Sequence, residues 1–333
     1  MFRLMKYTSL WVLFCIVGLY LGAGASSAVA ADKKEAFVKI ATGNTGGTYY
    51  PVGVGISQLL SRKNNYIVSS AMSTGGSVDN IGLLRNDEAQ VAILMATVAN
   101  WAYFGEDRFQ QKPYKELRTI TSLWPNLNHI VVLNDIKTFD DLKGRRFVVG
   151  APRSGTETDS HAILSAMGLY YHDEDGGKVN LEPIWVNYGE AVEGMKNRTV
   201  SGALFNTYPP GSAVAELLAS GDAHILSLSD EQVKSISDSN PLYSSYTIPA
   251  GTYPHQEADV QVCGYPNLLT TSSESPPDLI YDITKTIFEN PEYLESIHKA
   301  TKFIRLETAT KGVKVPFHEG AVRYLKEQGV WKE

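Results

Sequence analysis

The sequence predicts an α/β fold: a two-lobed clamp of mixed, mostly parallel sheets flanked by helices, with a hinge between the lobes. Two observations carry that expectation. Strand-like runs alternate with helix-like stretches along most of the chain, the rhythm of parallel strands joined by crossover helices. Two glycine-bearing turns, around Gly46 and Arg153, each follow an apolar strand and open a helix. In open α/β sheets ligands gather at such turns, so the pair could close on one ligand from opposite lobes.

The chain opens with the layout of a cleavable export signal. Arg3 and Lys6 precede an uncharged apolar stretch from Leu10 to Leu21, and Ala28-Val-Ala-Ala31 follows ahead of the charged Asp32-Lys-Lys-Glu35. Cleavage is expected after Ala30 or Ala31, because the apolar core is short for a membrane span. Its loss removes Arg3 and Lys6 but no acid, and moves the formal charge from −6 to about −8. It also removes Cys15 and leaves Cys263 as the only thiol, so no intrachain disulfide can form. The remaining ~300 residues suggest two domains, with a core large enough to fold without one. No basic patch carries interleaved aromatics, which excludes nucleic acid as a partner.

The elements follow in order. Val38–Thr42 reads as a strand and leads to a helix from about Tyr50 to Arg62. Tyr66–Ser70 leads to a helix over Ser77–Asn86, and Val91–Leu94 leads to a helix over Ala96–Phe104. A second series begins at His129–Leu133. The strand Phe147–Gly150 then turns through Ala151–Thr156 into a helix from about Glu157 to Met167. Pro183–Val186 and Gly202–Phe205 read as further strands.

The segment Ala41-Thr-Gly-Asn-Thr-Gly-Gly-Thr-Tyr-Tyr-Pro-Val-Gly53 says most about function. Glycines there leave amide groups bare, and the following helix presents its unpaired N–H groups and positive dipole end to the loop. That suits a carboxylate or phosphate, although an unliganded turn fits the same residues. A nucleotide is the poorer guest. Gly53-Val-Gly55 lacks the third glycine of a dinucleotide fingerprint, and no Lys-Ser/Thr pair closes a phosphate loop.

Several blocks in order then resemble the TAXI-type solute-binding proteins of TRAP transporters. They are Thr42–Gly53, Ser73-Thr-Gly-Gly-Ser-Val-Asp-Asn80, Asp141–Thr156, Ile248–Tyr253, Ile280–Lys285 and Val315-Pro-Phe-His-Glu-Gly-Ala321. The resemblance covers nearly all of the mature chain. It implies a periplasmic-binding-protein clamp that captures a small organic anion, a dicarboxylate or an acidic amino acid such as glutamate or 2-oxoglutarate. It also implies delivery to the membrane permease subunits of an ion-gradient-driven TRAP transporter, with no cofactor, and the protein is expected to act as a periplasmic monomer. The lobes would comprise 31–127 plus 256–333, and 128–255. Two departures stand out: Arg153 where the family commonly has glycine, and Glu319 where it has proline.

Candidate ligand contacts from the first lobe are Thr42, Gly43, Asn44, Thr48 and Tyr49, with Ser77, Asn80 and Thr97 at later helix starts. Ser77 and Asn80 could equally be helix caps. From the second lobe come Ser154, Gly155 and Thr156, then Asn187 with Tyr188, and Asn206 with Thr207 and Tyr208. Arg153 is either a bidentate carboxylate clamp or a loop arginine facing solvent. No catalytic constellation is legible. The histidines are scattered, Ser154 lacks a nucleophile-elbow setting, and the acidic run after His172 lacks calcium-loop spacing. A secreted enzyme on the same clamp, or a binder that signals to a membrane kinase, remain the alternatives to transport.

Overall fold

The structure, a computed structural model, describes residues 33–172 and 177–331. The expected export signal, and most of the acidic turn after His172, lie outside the described residues. From Glu35 onward the chain forms one compact unit.

Three βα steps build the first part of the sheet. Strand β1 (Ala36–Ala41) leads to α1 (Tyr49–Lys63), β2 (Ile67–Met72) to α2 (Ser77–Arg85), and β3 (Val91–Met95) to α3 (Ala96–Phe104). β1 lies between β2 and β3 and is parallel to both. β3 is buried at every position, as expected of a strand covered on both faces.

The middle of the sheet is antiparallel. The strand expected from His129 begins at Leu117 and forms the long β4 (Leu117–Leu133). Its partner β10 (Val260–Ser272) runs beside it from Gly264↔Leu127 to Ser272↔Leu117 and also pairs with β3. Pro125 and Pro266 face each other in this ladder, and the register shifts just beyond Pro266. A proline cannot donate to a ladder, so each broke the strand pattern in the sequence although the strand continues through it.

Beyond β4 the chain repeats the βα device. β5 (Arg146–Val148) leads to α4 (Gly155–Ala166), and β6 (Glu182–Ile184) to α5 (Tyr188–Lys196). β7 (Gly202–Thr207) leads to α6 (Ser212–Leu218), β8 (Ala223–Ile225) to α7 (Asp230–Ser239), and β9 (Ser244–Ile248) pairs with β10. The sheet order is β2-β1-β3-β10-β4-β7-β5-β6. Parallel pairs therefore lie toward the two ends and antiparallel pairs in the middle, which sharpens the expected mixed sheet.

The carboxyl-terminal helices α8 (Pro277–Phe288), α9 (Pro291–Ile297) and α10 (Glu319–Glu327) return to the first part of the sheet. Ile280, Ile283, Leu294 and Ala321 share a core with Ile40, Ile56 and Trp124. His318 is buried: its Nδ1 caps α10 by accepting from Gly320 N–H, and its Nε2 meets the Ser275 carbonyl. A Cβ on Gly320 would stand 2.2 Å from the Pro277 carbonyl oxygen and 2.8 Å from the Tyr281 nitrogen, both backbone atoms that cannot swing aside. Gly320→Ala is accordingly expected to cost about 2 kcal/mol, seen as a melting temperature several degrees lower. An unchanged melting temperature would show that α8 and α10 do not approach this closely.

Candidate ligand-binding site

The turns meet in one small cavity of about 40 Å³. Gly43, Asn44, Gly47, Thr48 and Tyr49 line it from the β1–α1 turn, Gly75, Gly76 and Ser77 from the β2–α2 turn, and Met95 from the end of β3. Asn126 of β4 contributes from the middle of the sheet. Ser154, Gly155, Thr156, Tyr188 and Asn206 form the opposite wall. α1, α2, α4 and α5 all start on lining residues, namely Tyr49, Ser77, Gly155 and Tyr188. Four positive helix ends thus reach the cavity. No Lys, Arg, His, Asp or Glu side chain lines it.

The walls touch. Thr48 Oγ1 lies 2.8 Å from Thr207 Oγ1 and accepts from Tyr208 N–H at 3.1 Å, so its hydroxyl bridges the turns and does not cap α1. Ser212 Oγ donates to the Gly46 carbonyl at 3.0 Å. A Cβ on Gly155 would fall 1.9 Å from Met95 Sδ, so a larger residue there would have to push the Met95 side chain aside. Ser154 caps α4 by accepting from Glu157 N–H at 3.0 Å. Tyr188 supports the wall from inside: its hydroxyl accepts from Asn206 N–H at 2.8 Å and meets Thr156 Oγ1 at 2.9 Å. Burial pushes that phenol up to about 12, so it stays neutral. Tyr49 donates to Asn267 Oδ1. Asn44 Oδ1 and Asn126 Oδ1 are buried without a protein partner, and either amide can turn its N–H₂ or its oxygen to a guest.

Ten of the expected contacts line the cavity: Gly43, Asn44, Thr48, Tyr49, Ser77, Ser154, Gly155, Thr156, Tyr188 and Asn206. The other seven, Thr207 at the bridge to Thr48 among them, lie elsewhere. Thr42 is buried and gives its hydroxyl to the Met72 carbonyl. Asn80 is neither a cap nor a lining residue, because its amide ties the Thr42 and Ile93 carbonyls together. Asn187 is exposed and caps α5 in a reciprocal box with Glu190. Tyr208 packs against Phe303 outside the cavity, and Thr97 lines a separate groove.

Arg153 stands on the rim. Its carbonyl accepts from Asp79 N–H at 3.1 Å, and its guanidinium, largely exposed, lies 3.5 Å from the Asp79 carboxylate. Its φ of 62° is in the left-handed region, the physical reason a glycine suits this position. Gly47, whose bare amide the sequence already marked, and Gly75 and Gly76 of the second turn also line the cavity without being among the expected contacts, as do Met95 and Asn126. The sequence held no signal for the last two, since Asn126 follows the proline that hid β4.

Behind Asn206 sits a buried acid. Asp159 Oδ2 accepts from Asn128 Nδ2 and Asn206 Nδ2, both at 2.8 Å, and from the Tyr265 hydroxyl; its Oδ1 accepts from Tyr243 at 2.7 Å. Burial raises this carboxyl to about 7 against the pull of its four donors. A raised acid gives stability that is complete below the unfolded value near 4 and is lost as pH rises toward 7, on the order of 4 kcal/mol at most. Asp159→Asn is therefore expected to flatten the fall in melting temperature between about pH 4 and 7. Parallel wild-type and variant curves would show that Asp159 ionises at its ordinary value.

Among the described residues no group of three or more His, Cys, Asp or Glu side chains is arranged to hold a metal, and no helix is long and apolar enough to cross a membrane. A family model described as the NMT1-like family matches residues 40–329. A solved structure described as a periplasmic transporter is similar with a TM-score of 0.50 at 14% identity, over 90% of this chain and 95% of that one. At that identity the likeness is one of fold. The alkanesulfonate-binding protein from Xanthomonas axonopodis pv. citri bound to MOPS aligns over 88% of this chain and 84% of its own, at 12% identity and a TM-score of 0.49. A binding-protein component of an ABC phosphonate transporter from Pseudomonas aeruginosa aligns over 79% and 78%, at 11% identity and 0.49.

Proposed function

The chain belongs to the NMT1-like family, and from that premise we propose that it is an extracytoplasmic solute-binding protein for a small organic anion. One observation carries the reading: four helix N-termini meet at a cavity lined by no charged side chain. Such a site neutralises an anion with backbone N–H groups and hydroxyls, whose dipoles are fixed before the solute arrives. The solute class is a dicarboxylate or an acidic amino acid, with glutamate and 2-oxoglutarate as the first compounds to test. Delivery to TRAP permease subunits rests on the ordered motif blocks from Thr42 to Ala321. Capture in the periplasm, as a monomer and without catalysis, completes the proposal.

A cavity of about 40 Å³ holds no more than a few waters, so the walls must part to admit such a solute. We place the moving lobes at 31–127 plus 256–333 and at 128–255, hinged where β4 and β10 run between them. In this closed form Thr48–Thr207 and the Asp79–Arg153 pair act as latches.

Thermal-shift screening of the mature protein tests the solute class. A carboxylate at 100 times its Kd is expected to add about 2.7 kcal/mol of stability, an effect lost in Thr156→Val and reduced in Ser77→Ala. Stabilisation by neutral sugars and by no carboxylate would falsify the anion reading. Arg153→Ala is expected to change affinity by about five-fold or less, since an exposed ion pair is worth up to about 1 kcal/mol. A much larger loss would place the guanidinium on the solute itself.

A further inference from the structure

A second, larger space lies apart from this cavity. It is a groove of about 730 Å³ between α3 on one side and α4 with the end of α7 on the other, and it shares no lining residue with the site above. A cavity of several hundred cubic ångströms is the usual size for small-molecule sites. On α3 the lining residues are Thr97, Asn100, Trp101 and Phe104, a stripe at i, i+3, i+4 and i+7. A helix normally presents that stripe to a packed neighbour 8–10 Å away (about one helix diameter). Here it faces the groove, and Phe104 is 47% exposed.

Ser239 and Asn240 in this groove are hydrogen-bonded, but three other polar groups are not. Thr97 Oγ1, Asn100 Oδ1 and, across the gap on α4, Ser165 Oγ are buried with no hydrogen-bond partner. Buried polar atoms without partners are uncommon in folded proteins, and three lining one groove point to an absent guest. Lys314 and Glu106 also line it, so both signs of charge are present.

We propose that this groove is a second binding site and that it takes an aromatic zwitterion, a flat ring bearing both an ammonium and a carboxylate. Trp101 and Phe104 supply faces and edges for the ring. Asn100 Oδ1 and Glu106 accept from the ammonium. Lys314 and the hydroxyls of Thr97 and Ser165 donate to the carboxylate. The site is independent of the organic-anion cavity, and its occupancy does not rest on the transport reading.

Saturation-transfer NMR and calorimetry with L-phenylalanine on the mature full-length protein test it. Phenylacetate lacks the ammonium and phenethylamine the carboxylate, and each is expected to bind at least about ten-fold more weakly than phenylalanine. Ala162→Trp, which fills the groove from α4, and Trp101→Ala should each weaken phenylalanine by about ten-fold or more, while Ser77→Ala leaves it unchanged. Retained affinity in Ala162→Trp overturns the proposal, as does absence of binding at millimolar concentration. Loss in Ser77→Ala also overturns it, because phenylalanine would then be occupying the anion cavity. Failure of every dicarboxylate and acidic amino acid in the thermal screen, with groove-dependent phenylalanine binding intact, would sink the proposed transport solute and leave this site standing.

Discussion

The antiparallel pairing of β4 with β10 is the constraint on which both walls of the cavity depend. Among the described residues these strands are the only ones that join the βα units at one end of the sheet to those at the other through direct ladders, β10 pairing with β3 and β4 with β7. Asn126 faces the cavity from β4, while Asn267 of β10 accepts from Tyr49 and donates to the Trp124 carbonyl. Asn128 and Tyr265, one from each strand, hold Asp159. A shift in the register of this pair would separate the turns and break the buried polar network together.

Neutrality is the second theme. The cavity gathers helix ends in place of basic side chains, so a bound anion would sit among dipoles and not beside a counter-ion. Burial opposes ionisation of both Tyr49 and Tyr188, and Asp159, behind that surface, adds a smaller push in the same direction. The two cavity phenols therefore remain hydroxyls and can serve as donors. The partners of Asp159 are two amides and two phenols, all of them donors to its carboxyl oxygens.

Much of this was legible from particular residues. The helices after Thr48, Gly76 and Ser154 start where the glycine turns end, because glycine frees the backbone to turn there and, at Ser154, the side chain caps the helix. The side-chain roles within those turns were less legible. Thr42 and Asn80 sit in the motif blocks, yet both spend their polar groups on neighbouring backbone carbonyls. Arg153 differs in kind: the chain needs a left-handed residue there, and the side chain is thrown outward onto Asp79. Such choices depend on which carbonyl lies nearby in space, and local sequence holds no record of it.

What the sequence determined alone is local: the βα rhythm, the glycine turns and the positions of most helix starts. These follow from backbone sterics, apolar periodicity and capping, which act over a few residues. Tertiary structure decided the rest. It extended β4 and β10 through Pro125 and Pro266, set Met95 against Gly155, and buried Asp159 among donors from β4, β7, β10 and the residue just before β9. It also turned the Thr97–Phe104 stripe toward an open groove. Each of these pairs residues distant in the chain, and only the packed sheet brings them within contact distance.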